Sequence, residues 1–238
     1  IGIDIARSDK ASNNQTSVSI QRIIRTPTGK IKELRLVNLV TMEGTLDFDA
    51  QACEIKKIVK KYNVVAIVSD DNGLSKGTVD AMVKNSYDVT TGENLGCYGT
   101  MNSERVPDDP DAPKLIFCYL AQKYDNESIP TLIDAIETGK LRLLEKKDIT
   151  AYTMSDETFA DSVMPFFQTN CFVEEVSNLK LEHLNNNGFR LKQVSKKVNK
   201  DRVSSVQYPL WYAMKFLDNK IEANEDDDIE FLAGYISW

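Results

Sequence analysis

The chain has 238 residues, 42% hydrophobic and 27% charged, and its 29 basic and 36 acidic side chains leave a net charge of −7. That length buries a sizeable core, as one large domain or two small ones, and no apolar run approaches the roughly 18 residues needed to cross a membrane. The acidic balance argues against a high-affinity, freestanding nucleic-acid binder, but it leaves room for an enzyme whose acids hold metal while its basic groups act locally.

Ile1 to Ala6, IGIDIA, reads as a first strand with Asp4 in its middle. It begins without an initiator Met or a signal peptide, so we expect an excised domain whose N-terminal neighbour is missing. A polar turn at 7–16, RSDKASNNQT, precedes alternation over Val18 to Arg25, and TPTGK at 26–30 precedes a third alternating run, Lys32 to Thr41. Short turns between three strands predict an antiparallel meander. Ala52, Ile55, Val59 and Tyr62 recur at helical spacing within 49–62, with Asp47 or Asp49 available as a cap. The apolar run from Val64 then reads as a strand over 64–69, buried on both faces. It ends in Asp70-Asp71-Asn72-Gly73 at the rim where open α/β sheets usually carry their sites. Ser75 is placed to cap a helix over 75–85.

LGCYGT at 95–100 reads as a fifth strand, NSERVPDDPDAP at 102–113 as a loop, and Leu115 to Lys123 fits either helix or strand. A helix over Ile129 to Thr138 stops at Gly139, a short strand covers Leu141 to Leu144, and a further helix starts at Ser155 with Asp156 and Glu157 in its first turn. Leu179 to Leu184 and Phe189 to Val198 flank NNNG at 185–188, a strong hairpin signal. From Arg190 the chain reads RLKQVSKKVNKDR, with Asp201 its single acid. A helix bearing Val203, Val206, Leu210, Ala213, Met214 and Leu217 follows, and Pro209 within it is able to bend it. EDDD at 225–228 reads as a solvated tail, and FLAGYISW as an apolar end for docking on the domain or a partner.

Cys53, Cys97, Cys118 and Cys171 form no C-x-x-C pair, which fits small buried thiols in a reducing cytosol. The single histidine, His183, rules out a His-rich metal site and argues against a Ser-His-Asp triad. What remains is carboxylate chemistry. Taken singly, Asp4 reads as a surface residue of an edge strand, Asp70-Asp71 as a turn and Asp201 as a helix cap. In a sheet ordered 3-2-1-4-5, however, Asp4 and Asp70 are neighbours, and a helix packed on that sheet delivers Asp201 to them. Three carboxylates at one point repel one another unless they bind hard cations, and oxygen-only ligands favour Mg²⁺ or Mn²⁺. Two such ions about 4 Å apart clamp the attacking and leaving oxygens of a phosphodiester.

GIDIARS followed by NNQTSV, then VSDDNGLSKGTVDAMV, then KDRVSSVQYPLWYAM resemble the nuclease domain of tailed-bacteriophage large terminase subunits, in order and through nearly the whole chain. The resemblance implies an α/β, RNase H-like fold. Its mixed sheet has roughly five or more strands ordered 3-2-1-4-5, the first three antiparallel, with flanking helices and an extra hairpin near 179–198. It also implies one nuclease domain over 1–238, joined in the full-length protein to an N-terminal packaging ATPase. The metal-binding and catalytic acids become Asp4, Asp70 and Asp201, with two divalent cations. The family pattern puts the ligand at the first Asp of Asp70-Asp71, where a second Asp is unusual, so Asp71 stays beside it as a candidate ligand. The implied activity is cutting of concatemeric double-stranded DNA in the bacterial host cytoplasm. The portal protein and small terminase subunit are the implied partners, and no membrane is involved.

Arg190, Lys192, Lys196, Lys197, Lys200 and Arg202 surround Asp201 in sequence and are candidates for contact with the DNA backbone, as is Lys76 beside the acidic turn. A solvated hairpin with charged edges accounts for the same pattern. Three other readings remain, one of them a non-catalytic assembly module that keeps the fold, against which intact Asp4, Asp70 and Asp201 count. Another RNase H-like nuclease, such as a junction resolvase or transposase, shares these acids. Sugar kinases and actin-like ATPases share the G-I-D-I opening but need a second glycine-rich phosphate loop, which this chain lacks.

Overall fold

The computed structural model of the chain describes residues 1–6, 15–43, 47–144, 158–184 and 188–218. Most of the turn at 7–16, the hairpin tip at 185–187, the helix start at 155–157 and the C-terminal tail lie outside them. The expected meander forms from β1 (Gly2–Asp4), β2 (Gln15–Arg25) and β3 (Ile31–Glu43). A helix, α1 (Phe48–Lys60), crosses over to β4 (Ile67–Asp70), and Asp47 caps it through Oδ1, which accepts from the Ala50 amide at 2.7 Å. A 3₁₀ turn (Gly73–Ser75) leads into α2 (Lys76–Met82). After the small β5 (Ser86–Tyr87) and β6 (Asn94–Gly96) pair come β7 (Gly99–Thr100), β8 (Lys114–Tyr119), α3 (Ala121–Glu137) and β9 (Leu141–Arg142). The last part holds α4 (Thr158–Ser177), the hairpin β10 (Leu179–His183) and β11 (Phe189–Gln193), and α5 (Asp201–Tyr212), which continues as a π turn to Leu217.

The main sheet has seven strands in the order β7-β8-β4-β1-β2-β3-β9. Its centre is the expected 3-2-1-4-5 order: β1 runs antiparallel to β2 and parallel to β4, and β4 runs parallel to β8. The fifth strand is β8, however, and not residues 95–100. Gly96, at φ 69°, breaks that segment; its first half pairs with β5 and its second forms the outer edge. The ambiguous run 115–123 contains both the end of β8 and the start of α3, which begins well before Ile129. The strand expected from Val64 starts only at Ile67, and Val65 is 56% exposed. The hairpin's second strand ends at Gln193, so Lys196 and Lys197 lie on the turns beyond it.

Alternation divides each central strand between two layers. Ile3, Ile67, Ile116 and Cys118 pack with α1 and α2, while Val68, Phe117 and Tyr119 face Tyr208 and Trp211 of α5. Leu34, Leu36 and Leu39 of β3 pack with α3, α4 and α5. Helix α5 lies close against β1 and β2. A Cβ on Gly2 would overlap the Ser205 carbonyl oxygen and the Pro209 ring, so only glycine fits there. Pro209 has no N–H to give that carbonyl, and the Ser19 hydroxyl donates to it instead at 2.7 Å; Gln21 Nε2 donates to the Val206 carbonyl at 2.8 Å. All four cysteines are free, and no helix among the described residues is long and apolar enough to cross a membrane.

Candidate metal centre

Register brings the first two acids together. Gly2 pairs with Val68 and Ile3 with Ser69 along the parallel β1–β4 ladder, so the next position sets Asp4 beside Asp70 at the C-terminal ends of both strands. Alternation turns both toward the α5 layer, since Gly2 meets α5 and Val68 packs in the α5 cluster. Asp201 stands in the first turn of α5, and its Oδ2 accepts from the Gln15 amide at 3.3 Å as β2 enters the sheet. Small buried side chains allow this approach: Ser17 Oγ and Ser205 Oγ lie 3.0 Å apart between strand and helix.

The electrostatics of the three acids are shared. Burial pushes the Asp4 carboxyl well above its ordinary value, and the charges of Asp201 and Asp70 push it further, against a hydrogen bond from Ser204 and the charge of Lys200. Burial also raises Asp70 and Asp201. Asp70 is held on both oxygens: Asn72 Nδ2 and the Asn72 amide donate to Oδ1 at 2.5 and 3.2 Å, and Ser75 Oγ donates to Oδ2 at 2.9 Å. Ser75, expected as a cap, makes no capping bond; its hydroxyl serves Asp70. Among the described residues no three His, Cys, Asp or Glu side chains stand in ligating geometry.

Asp71 is not brought to this group. It falls on the opposite face of the strand end, 8% exposed, where Arg105 grips it through two hydrogen bonds, Nη2 to Oδ1 at 2.7 Å and Nη1 to Oδ2 at 3.1 Å. The same guanidinium reaches Asp80 of α2 through Nε at 2.5 Å. Despite its desolvation, these two carboxylates raise the pKa of Arg105. A carboxylate that sequence reasoning did not flag joins instead. Asp125, in the first turns of α3, interacts electrostatically with Asp70 and Lys200. Its Oδ1 accepts from the Tyr119 hydroxyl at 2.8 Å, and Tyr119 in turn lies 2.6 Å from Ser128, to which Gln207 donates at 2.7 Å. The only sequence cue was its closeness to the end of β8, hidden because β8 and α3 run together.

The basic candidates divide. Arg190 and Lys192 both pair with Glu182 across the hairpin. Arg202 is half-buried against Glu175 at 2.6 Å and Gln168 at 2.7 Å. Lys76, Lys196, Lys197 and Lys200 are exposed, and no described carboxylate forms an ion pair with them. Of these, Lys200 acts on the centre, since its charge reaches Asp4, Asp125 and Asp201. Lys197 borders a polar cleft of about 370 Å³ with Gln15, Glu174, Glu175 and Arg202. A larger cavity of about 610 Å³, lined by Ile1, Val64, Val65, Pro209 and Tyr212 among others, lies at the opposite end of β1 and β4 and includes none of the acids.

No protein-family model matches the chain, and no curated protein sequence matches it. Among solved structures it is similar to the large terminase nuclease from thermophilic phage G20c with bound magnesium. The two share 13% identity at a TM-score of 0.51, over 89% of this chain and 78% of that one. A second structure of the G20c nuclease matches at 13% identity and a TM-score of 0.45, over 89% of this chain and 81% of that one. The first likeness establishes the fold: this chain has the RNase H-like architecture of a large terminase nuclease.

Proposed function

We propose that the chain is the nuclease domain of a tailed-bacteriophage large terminase subunit, a metal-dependent endonuclease that cuts concatemeric double-stranded DNA during genome packaging by two-metal-ion phosphodiester hydrolysis. The observation that carries this reading is the convergence of Asp4, Asp70 and Asp201, from the first strand, the fourth strand and the last helix, at one rim of the sheet. The shared fold supports it, and so does the magnesium bound in the G20c nuclease.

The residues fit divalent cations. Their donor set is all oxygen, which suits Mg²⁺ or Mn²⁺, and all three carboxyls are desolvated, with Asp4 opposed by the other two, so a cation removes the charge conflict. When bound, two such ions supply activation of the attacking water and stabilisation of the leaving 3′-oxygen. The chain's own groups prepare the centre. Asn72 and Ser75 fix Asp70, the Gln15 amide fixes Asp201, and Ser204 holds Asp4. Lys200 adds a positive charge beside them for the phosphate being cut, while Lys196 and Lys197 meet backbone phosphates further along.

On this reading residues 1–238 are one domain. A packaging ATPase of the same full-length chain, the portal protein and the small terminase subunit are its partners, and it works in the bacterial host cytoplasm. The test is cleavage of supercoiled plasmid with Mn²⁺ or Mg²⁺. Wild type nicks and linearises the plasmid, and Asp4→Ala, Asp70→Ala and Asp201→Ala each lose that activity while staying folded. Cleavage that survives these changes overturns the reading. Preference for branched DNA would point to a junction resolvase.

A further inference from the structure

Two carboxylates stand side by side in sequence at the end of β4, and the structure treats them in opposite ways. Asp70 receives three hydrogen bonds from neutral donors, two from Asn72 and one from Ser75. Asp71 receives two from a guanidinium carried on the loop after β7. Neutral donors orient a carboxylate without cancelling its charge, so it stays attractive to a cation. A bidentate guanidinium cancels the charge and takes both oxygens. The backbone reinforces the division. The Asp71 amide donates to the Tyr119 carbonyl at 2.9 Å, continuing the β4–β8 ladder one residue past Asp70 and so keeping the two side chains on opposite faces. The chain then turns at Gly73, whose φ of 55° brings Ser75 back under Asp70.

We propose, resting on the metal-centre reading above, that Arg105 together with Asn72 and Ser75 sorts this acidic pair: Arg105 neutralises Asp71 on the face that the backbone turns away from the centre, and Asn72 and Ser75 present Asp70 to it. These three are positioning residues. Arg105 is tied on the same face to Asp80 at 2.5 Å and lies 3.4 Å from Cys118 Sγ, so its guanidinium is fixed by groups that take no part in the centre. Ser75 begins α2 without capping it, which leaves its hydroxyl to Asp70 alone. Sorting matters because an uncompensated charge on Asp71, one position along the strand from Asp70, would add repulsion to a group that already carries it.

The test is Mn²⁺ binding to the intact chain, read from the free-ion electron paramagnetic resonance signal, with thermal unfolding as a control for folding. Asp70→Asn loses binding and Asp71→Asn keeps it. Ser75→Ala and Asn72→Ala each weaken binding by about tenfold, as expected for groups that orient a ligand, and Ser75→Thr, which keeps the hydroxyl, restores it. Arg105→Gln weakens binding, and the double change Arg105→Gln with Asp71→Asn returns it to the wild-type level. The proposal is overturned if Asp71→Asn loses binding as Asp70→Asn does, if Arg105→Gln binds as wild type does or is not rescued by Asp71→Asn, or if Ser75→Ala and Ser75→Thr both bind as wild type does. Asp4→Asn and Asp201→Asn separate the two levels of the argument. If they bind Mn²⁺ normally, the metal-centre reading falls and the sorting falls with it. If they lose binding while Asp71→Asn also loses it, only the sorting is wrong.

Discussion

The Ser19 hydroxyl donates at 2.7 Å to the Ser205 carbonyl, the acceptor that Pro209 leaves unfilled four residues later in α5. Strand β2 thus completes the hydrogen bonding of the helix that carries Asp201. Ser19→Ala strands a buried carbonyl and should cost about 1–3 kcal/mol, seen as a lower urea midpoint at unchanged slope. In a Pro209→Ala background, where an N–H returns to that carbonyl, the same change should cost less. Equal costs in the two backgrounds would show that the two residues do not share this acceptor.

Asp4 contributes to the pH dependence of the metal-free protein, beside Asp70, Asp125, Glu175 and Asp201, whose carboxyls burial also raises. The folded Asp4 carboxyl titrates above the ordinary 3.8, so the folded state holds that proton more tightly than the unfolded state does. Its contribution to stability therefore falls as pH rises from about 3.8 through the raised value, and the full penalty stands above that value. In chelator, Asp4→Asn should melt higher than wild type at neutral pH, with the gap closing as pH is lowered. Added Mn²⁺ or Mg²⁺ should reverse the order by stabilising wild type. Identical melting curves in chelator across the pH range would show that Asp4 carries no such penalty.

Charge pairing predicts which basic residues matter for DNA. Lys196→Ala, Lys197→Ala and Lys200→Ala should each weaken duplex binding and lower the slope of log K against log salt by about one. Arg190→Ala and Lys192→Ala should do much less, because Glu182 already pairs with both. Fluorescence anisotropy across salt concentrations separates the two groups. Equal effects for all five would favour general charge over position.

Arg202 should fail as a DNA contact and matter for stability instead. It is 13% exposed and its partner Glu175 is 3% exposed, so removing either leaves the other charge buried alone. Arg202→Ala and Glu175→Gln should each cost about 3–5 kcal/mol in chemical unfolding. A stable Arg202→Ala protein with weakened DNA binding would reverse this assignment.

Much of the architecture was legible where one period ran between clear turn residues. The meander, α1, the hairpin and the helix after Arg202 all carried that signal, and with them the positions of Asp4, Asp70 and Asp201. Where the chain passes from strand to helix without punctuation the reading stalled. Only Leu120 separates β8 from α3, so no break marks the start of the helix, and Asp125 falls in the unassigned stretch before Ile129. Local sequence also held no means of choosing between Asp70 and Asp71. Period-2 alternation puts them on opposite faces, but which face is neutralised depends on Arg105, 34 residues further on. The basic run looked uniform for the same reason: Glu175 and Glu182, which divide it, belong to other elements.

The distribution of the acids along the chain has a consequence for its synthesis. Within this domain Asp4 is made before Asp70, and Asp201 arrives only with α5, which also covers Gly2. Chains fold from the N-terminus as they are made, so the ribosome exposes two of the three acids long before the third exists. A partial product thus carries the two strands without the third acid or the helix that covers Gly2. The acids of the two strands wait for α5 to bring Asp201 to them.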